Sequence, residues 1–343
     1  MTAPLAYIPW NVSPIIAEVG PLLLRWYGIL FALGFVIGSF VLTHIYKSEG
    51  VRPYWVDVIT FYMVVGTVLG ARLGHVFFYD WDSYKNQPWE ILKIWHGGLA
   101  SHGATIGILL ATYIFSRRNK FDYLWVLDRI VIVVAIGGAC IRLGNLMNSE
   151  IVGKPTDVPW AFVFPRDTEH LTAVQPGQTL PDGARLVRRN FRTVPAENPS
   201  EGDRRVEVEP TLLPVGTVPA PDLSVAVPRH PTQIYESLFC VFLLALLYGL
   251  WNKYKERTPR GLLFGLFVVL LFTQRFLGEF LKENQVDFEK YQWLNQGQRL
   301  SLPFIIIGLG VLWWTYRHPT NYGYAPRDLA EEEAALAALE AKK

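Results

Sequence analysis

Five ionisable side chains lie within stretches of the sequence that are otherwise apolar. They are Arg72, His102, Arg142, Arg275 and Glu279. An ionisable group in a membrane-spanning helix is costly unless it faces water or protein, so each one needs a chemical reason. Guanidinium groups bind phosphate through two parallel N–H donors, and a histidine at a helix start favours the neutral form that accepts a proton. These residue types therefore predict a site that holds an anionic group beside a general base.

The elements that carry these residues are apolar segments long enough to cross a bilayer. Of the 343 residues, 51% are apolar and only 18% are charged, which is typical of a membrane protein. Since backbone in lipid must satisfy its own hydrogen bonds, we predict an all-α polytopic membrane protein with seven transmembrane helices. The predicted spans are 22–45, 56–79, 98–116, 124–147, 233–252, 261–281 and 301–317.

The stretch between the fourth and fifth spans is too long for a tight connection. Charged and apolar residues alternate in 184–188 and 204–209, which indicates short strands in a small extracytoplasmic head. The predicted organisation is 1–147 for transmembrane helices 1–4, 148–232 for the head, 233–317 for transmembrane helices 5–7 and 318–343 for a cytoplasmic tail.

Basic residues are concentrated in the short loops 46–55, 117–123 and 253–260. The positive-inside rule makes these loops cytoplasmic, which places the N-terminus in the periplasm and the C-terminus in the cytoplasm. At about 1.5 Å rise per residue, the five ionisable residues and Tyr27 then lie within roughly 12 Å of the outer boundary. Beyond Asp57 and Asp128, the inner halves of the spans carry few ionisable groups. This pattern predicts one polar cavity open to the outer leaflet.

Hydrogen-bonding residues extend the predicted cavity at two span ends. The fourth span ends in Arg142, Asn145, Asn148, Glu150 and Gly153, and the fifth is entered through Arg229, His230, Gln233, Tyr235 and Glu236. A plainer interpretation is that these groups cap helix ends and that each arginine reaches the interface or pairs locally. Glu279, for example, lies four residues after Arg275 and is placed to neutralise it.

At these segments the sequence resembles the prolipoprotein diacylglyceryl transferase family. The resemblance covers nearly all of the membrane part, in order. It is carried by Trp26-Tyr27-Gly28, Gly70-Ala71-Arg72-Leu73, His96-Gly97-Gly98-Leu99-Ala100-Ser101-His102-Gly103, Arg142-Leu143-Gly144-Asn145 with Asn148, Glu150 and Gly153, Arg229-His230-Pro231-Thr232-Gln233-Ile234-Tyr235-Glu236, and Arg275 with Glu279. Two departures are a head longer than in familiar members and Leu271, where some members have tyrosine.

The resemblance implies a bacterial inner-membrane enzyme that moves the diacylglyceryl group of phosphatidylglycerol to a cysteine thiol. That cysteine belongs to the lipobox of a preprolipoprotein, and the products are a thioether and glycerol phosphate. By the family's motifs, Arg142 and Arg275 contact the phosphate and His102 is the expected thiol-activating base. The expected substrate-binding residues are Tyr27, Arg72, Gly103, Asn145, Asn148, Glu150, Gly153, His230, Gln233, Tyr235, Glu236 and Glu279. The implied partners are these two substrates and the bilayer.

Other classes of protein remain open at this stage. A transporter or channel for an anionic lipid or solute would use the same arginines, and so would a phospholipid phosphatase with water as the acceptor. The net charge of +2 does not suggest nucleic-acid binding. Cys140 and Cys240 lie in apolar runs with no metal-ligand spacing, so we expect neither a metal, a cofactor nor a structural disulfide.

Overall fold

A computed structural model describes residues 7–19, 22–85, 87–93, 98, 100–175, 179–195, 204–283 and 293–319, together with 338 and 341. Helices make up most of this part of the chain. They are α1 (Trp26–Ser48), α2 (Tyr54–Phe78), α3 (Trp81–Tyr84), α4 (Ser101–Arg118), α5 (Tyr123–Asn148), α6 (Thr232–Tyr254), α7 (Leu262–Gly278) and α8 (Gln296–Arg317). Of the predicted tail, 318–343, all but residues 318, 319, 338 and 341 lies outside the described residues.

Six helices in the described part of the chain are long and apolar enough to cross a membrane: α1, α2, α5, α6, α7 and α8. The chain is therefore a mostly helical, multi-pass membrane protein. The remaining predicted span, 98–116, is helical as α4 but is not among the six. Its ends are polar, with Ser101 and His102 at one end and Arg117 and Arg118 at the other.

Three predicted span boundaries are wrong for identifiable reasons. The first span begins at Trp26 rather than 22, because Leu22–Arg25 is a strand paired with Ile15–Val19. The third begins at Ser101, after Gly98 in a left-handed conformation and Ala100 in an extended one. The seventh begins at Gln296 rather than 301, because Asn295 and Gln298 form a reciprocal capping box there.

Glycines allow α2 and α4 to pack with their backbones in contact. A Cβ atom on Gly107 would lie 2.0 Å from the carbonyl oxygen of Gly66, and one on Gly103 would lie 2.2 Å from that of Gly70. No side chain larger than hydrogen fits at such distances, so the two helices form a tight pair. Helix α5 packs against both α1 and α6, and it carries buried residues along most of its length.

Strands between α5 and α6 form the head. Strands β5 (Thr172–Ala173), β8 (Ser224–Ala226), β6 (Arg185–Pro195) and β7 (Arg204–Leu212) pair antiparallel in that order. Strands β1 (Ile8–Pro9), β4 (Phe162–Val163) and β9 (Pro228–Arg229) form a second sheet, and β2 (Ile15–Val19) pairs with β3 (Leu22–Arg25). The strands predicted in 184–188 and 204–209 are present, whereas those before α1 were not predicted.

A closed network of charged and aromatic side chains ties four helices together at one end of the bundle. Nη2 of Arg129 donates to both oxygens of the Glu49 carboxylate at 2.9 Å, and Nε of Arg129 donates to one of them at 3.1 Å. The indoles of Trp125 and Trp251 also donate to Glu49. Next to Arg129, Asp128 accepts hydrogen bonds from the first amides of α7. We call Glu49, Trp125, Asp128, Arg129 and Trp251 the inner network.

Candidate functional site

A row of alternating charges lies at the opposite end of the bundle, where α5, α6 and α7 meet. The carboxylate of Glu236, near the start of α6, lies 2.5 Å from Nε of Arg142 and 2.5 Å from Nζ of Lys282. Lys282 also lies 3.2 Å from Glu279, whose other oxygen accepts a hydrogen bond from Asn295. We call Arg142, Glu236, Glu279 and Lys282 the charge cluster. All but Arg142 are buried.

Polar groups around the charge cluster are incompletely paired. Oε1 of Gln233 is buried with no hydrogen-bond partner among the described residues, whereas the two oxygens of Glu236 each lie 2.5 Å from a cation. Arg142 uses Nη1 to donate to Asn145 at 3.3 Å, and no described residue accepts from its Nη2. Since buried polar groups are normally satisfied, these open positions indicate a place for a ligand.

The turn after α5 places Glu150 beside this cluster. Its carboxylate accepts hydrogen bonds from Asn145 at 2.6 Å and from Asn148 at 3.3 Å. The residues on either side, Ser149 and Ile151, both have positive φ, near 54° and 57°. A left-handed β-branched residue is strained and persists only where surrounding contacts hold it.

Two side chains at the start of α6 supply those contacts. Gln233 donates to the carbonyl oxygen of Glu150 at 2.7 Å, and Thr232 donates to that of Ile151 at 2.8 Å. The strained turn and the first turn of α6 are thus fixed to each other. This connection sets the position of the Glu150 carboxylate relative to the charge cluster.

Gly153 closes the same corner. Its amide donates to the carbonyl oxygen of His230, and a Cβ atom on Gly153 would lie 2.6 Å from the Cβ of His230. Arg229 donates to the carbonyl oxygen of Gly153 and pairs with Glu283 at 2.7 Å. The structure thus gives Gly153 a packing role, because any side chain there would separate the head from the helix ends.

An aromatic pair lies at the rim, in the head and the first turn of α6. The indole N–H of half-exposed Trp160 donates to the Tyr235 hydroxyl at 2.7 Å, and that hydroxyl lies 3.3 Å from Nδ1 of His230. Burial lowers the pKa of His230, which favours its neutral form. Because Trp160 can only donate, the Tyr235 proton is available to Nδ1 of His230.

Tyr27 lies beside the cluster, and Arg275 lies on α7 one turn before Glu279. The Tyr27 ring packs on Gly144, where a Cβ atom would lie 2.7 Å from it, within electrostatic range of Arg142 and Glu150. Arg275 precedes Glu279 by one turn, but Glu279 pairs with Lys282 and Asn295 instead. No described residue forms an ion pair or hydrogen bond with the Arg275 guanidinium. Local neutralisation of Arg275 by Glu279 is therefore not what the structure shows.

Arg72 is held away from this cluster. It is 1% exposed, and its guanidinium lies 4.9 Å from the Tyr84 ring centre. Its donors reach the backbone between α2 and α4, at the carbonyl oxygens of Glu90, Ile91, Lys93 and Gly98. These contacts give Arg72 a structural role in that segment, and its part in substrate binding remains a prediction.

His102 and Gly103 lie at the start of α4, against α2. The His102 ring is 5.3 Å from Phe78 and 5.5 Å from Tyr79, centre to centre, and Gly103 faces the α2 backbone. No described contact joins His102 to the charge cluster. His96, Gly97 and Leu99, which belong to the predicted histidine and glycine motif, lie outside the described residues.

Lys282 and Trp160 belong to this candidate site but were not among the residues predicted for it. Lys282 is three residues after Glu279, a spacing that places two side chains on one helical face, and this signal was available. Trp160 gave no comparable signal, because its contact with Tyr235 joins positions 75 residues apart. Glu236 neutralises Arg142, which leaves Arg275 as the unpaired guanidinium among the described site residues.

Together, the helices and the charge cluster define a polytopic membrane protein with a polar site at one end of its bundle. The family model of prolipoprotein diacylglyceryl transferase matches residues 14–314, and the chain belongs to that family, which makes it a transferase. Phosphatidylglycerol--prolipoprotein diacylglyceryl transferase of Chloroherpeton thalassium is 40% identical over 89% of this chain and 92% of its own length. The proteins of the same name from Tolumonas auensis and Porphyromonas gingivalis are 38% and 35% identical, over 88% and 93% of this chain and 94% and 98% of theirs.

Proposed function

We propose that the chain transfers the diacylglyceryl group of phosphatidylglycerol to the lipobox cysteine of a preprolipoprotein, the first step of lipoprotein maturation. The cysteine sulfur attacks the glycerol carbon that carries the phosphate ester. A carbon–sulfur bond forms, the carbon–oxygen bond to phosphate breaks, and glycerol phosphate leaves. The names of the relatives support both substrates. The observation that carries the proposal is the charge cluster around Arg142, with Arg275 in the last turn of α7 and unpaired among the described residues.

The phosphate needs positive charge as it leaves, because its departing oxygen gains negative charge in the transition state. Arg275 has no competing carboxylate among the described residues, and Arg142 keeps Nη2 open while Glu236 holds its Nε. We infer that both guanidinium groups bind the phosphate. The pairing of Glu236 with Lys282 keeps that carboxylate from repelling the lipid anion.

The sulfur needs a proton acceptor, because the thiolate is the nucleophile and a free cysteine thiol has a pKa of about 8.5. His102, at the start of α4, is our proposed base. Tyr27, Asn145, Asn148, Glu150 and the residues of the aromatic rim shape the space where lipid and peptide meet.

The proposed membrane topology has seven spans, of which α4 is the third. We infer that α4 is a seventh span, because its glycine face packs on the α2 backbone and its polar ends suit the interfaces. The head is then extracytoplasmic at the outer face of the bacterial inner membrane, with the N-terminus periplasmic and the C-terminus cytoplasmic. Labelling single engineered cysteines from either side of sealed vesicles tests this orientation.

Purified protein with phosphatidylglycerol vesicles, with and without a lipobox peptide, tests the activity. We expect a thioether product and glycerol phosphate release only when the peptide is present. A peptide with serine in place of the cysteine is the matched control and should give neither product. Phosphate-ester cleavage without peptide would support a hydrolase instead, and movement of lipid or solute without cleavage would support a transporter.

A further inference from the structure

A groove of about 430 Å³ lies between the end of α5 and the head. Its lining comes from three segments, 148–152, 166–170 and 282–283, and we call it the head groove. Two of its residues, Glu150 and Lys282, also contact the charge cluster or its immediate neighbours. The head groove is therefore continuous with the proposed transfer site and leads away from it into the head.

Two buried polar atoms of the head groove have no partner among the described residues. Ser149 is 3% exposed, and its Oγ makes no hydrogen bond with the described residues. Oδ1 of Asn148 is also buried and also has no hydrogen-bond partner among them. Such atoms are destabilising unless a ligand or an ordered water meets them. The left-handed conformation of Ser149 fixes its place in this wall. The groove thus has hydrogen-bonding capacity that the described chain does not use.

A histidine and an aspartate form an oriented pair on the facing wall. Nδ1 of His170 lies 2.8 and 2.9 Å from the two oxygens of the buried Asp167 carboxylate. Asp167 therefore keeps a proton on Nδ1 and leaves Nε2 of His170 to meet a ligand. A pair built in this way presents one polar atom in a fixed direction, as a binding site requires.

The charges of the head groove disfavour a second lipid anion. Its described lining has four carboxylates and two cations, and one of these cations, Lys282, is paired with Glu236 and Glu279. The carboxylates are those of Glu150, Asp167, Glu169 and Glu283. An acyl chain would leave the polar atoms unmet, whereas extended polypeptide presents N–H and C=O groups in alternation. Polypeptide is the ligand class that fits both the charge and the open hydrogen-bonding positions.

We propose that the head groove binds the residues that follow the acceptor cysteine in the lipoprotein precursor, held as an extended segment. This inference rests on the proposed function, which places the cysteine at the charge cluster. A chain leaving that cluster through Glu150 enters the head groove directly. His170 is then a specificity residue that contacts the peptide beyond the reacting atoms and takes no part in the sulfur chemistry.

Two peptides with the same membrane segment and cysteine test the proposal. One ends directly after the cysteine, and the other continues for about six further residues, roughly 20 Å of extended chain. With the unchanged protein we expect the long peptide to have a KM lower by about tenfold at similar kcat, as a few hydrogen bonds supply. His170→Ala should reduce this length advantage to less than about twofold, while His170→Gln, which keeps a polar head group, should retain part of it.

His318→Ala, at the far end of α8, is the matched control and should keep the full advantage. Thermal unfolding of each variant shows that it is folded. Equal KM values for the two peptides in the unchanged protein, with thioether formed from both, would overturn the groove proposal and leave the transferase proposal standing. A length advantage that survives His170→Ala would mean that the added residues bind outside the head groove. That result would also overturn the groove proposal. No thioether from either peptide would remove the proposed function itself.

Discussion

Helix α5 carries two arginines in two buried charge networks, and the networks differ in how completely they are paired. Arg129 belongs to the inner network and Arg142 to the charge cluster, roughly 20 Å apart along the helix at about 1.5 Å per residue. In the inner network, Glu49 accepts from Arg129 and from two indoles, and no oxygen of that carboxylate is left open. Around the charge cluster, Oε1 of Gln233 and Oδ1 of Asn148 are buried without hydrogen bonds among the described residues, and no described residue accepts from Nη2 of Arg142.

This difference separates a structural network from a binding site. A fully paired buried ion contributes to a fixed arrangement of helices and has no capacity left for a ligand. Buried polar atoms without hydrogen bonds destabilise the protein when no substrate is bound. A substrate that forms those hydrogen bonds removes this destabilisation on binding. The residue types alone do not separate the two cases, because both networks are built from arginine and glutamate.

Arg129→Ala should have the largest effect, and on stability rather than on chemistry. It leaves Glu49 buried without its cation, which costs about 3–5 kcal/mol when one partner of such a pair is removed. We expect a large fall in the thermal unfolding temperature, with turnover per folded molecule retained. Arg118→Ala, at the exposed end of α4, is the control and should leave stability unchanged. A stable Arg129→Ala protein would show that the inner network is not what holds these helix ends together.

Arg142→Ala should lower turnover strongly and stability only a little, the opposite of Arg129→Ala. Loss of one group that stabilises the leaving phosphate lowers turnover about 100- to 1000-fold. Unfolding should change less than for Arg129→Ala, because Lys282 still pairs with Glu236. Thioether formation followed by mass spectrometry, per folded molecule, measures the effect. Normal turnover would remove Arg142 from the phosphate site and erase the contrast between the two arginines of α5.

His102→Gln tests whether the site extends beyond the charge cluster to the start of α4. We expect transfer to slow by about 100-fold near neutral pH, the lower end of what a general base contributes. The deficit should shrink as pH rises toward about 8.5, because the cysteine thiol then ionises without a base. Near-normal rates at every pH would show that His102 is not the base and would favour a group at the charge cluster instead.

Trp160→Phe should have the smallest effect. It removes the N–H that donates to Tyr235 while keeping an aromatic ring at the rim. We expect a change of less than about tenfold, in KM rather than kcat, because one hydrogen bond is lost and no charge is stranded. Trp89→Phe, at another exposed indole, is the control. A large fall in kcat would place Trp160 closer to the reacting atoms than the structure does.

The spans and most site residues could be predicted because apolar runs and intramembrane charges are local signals. Leu22–Arg25 was misread because a short apolar run does not distinguish strand from helix, and only its pairing with β2 decides. Arg129 was overlooked among the inner ionisable groups, and the hydrogen bonds of Arg72 to backbone carbonyls were not foreseen. Whether a buried arginine is paired depends on contacts between distant segments, which the sequence does not display.

Turnover of Arg275→Ala is the most direct test of a lipid phosphate held by open guanidinium groups. No described residue depends on Arg275 as a partner, so its removal strands no buried carboxylate among them and should leave thermal unfolding nearly unchanged. We predict a loss of thioether formation of about 100-fold or more, with the inner network intact. Full turnover in a folded Arg275→Ala protein would contradict the account, because the unpaired guanidinium of the site would then have no role in the reaction.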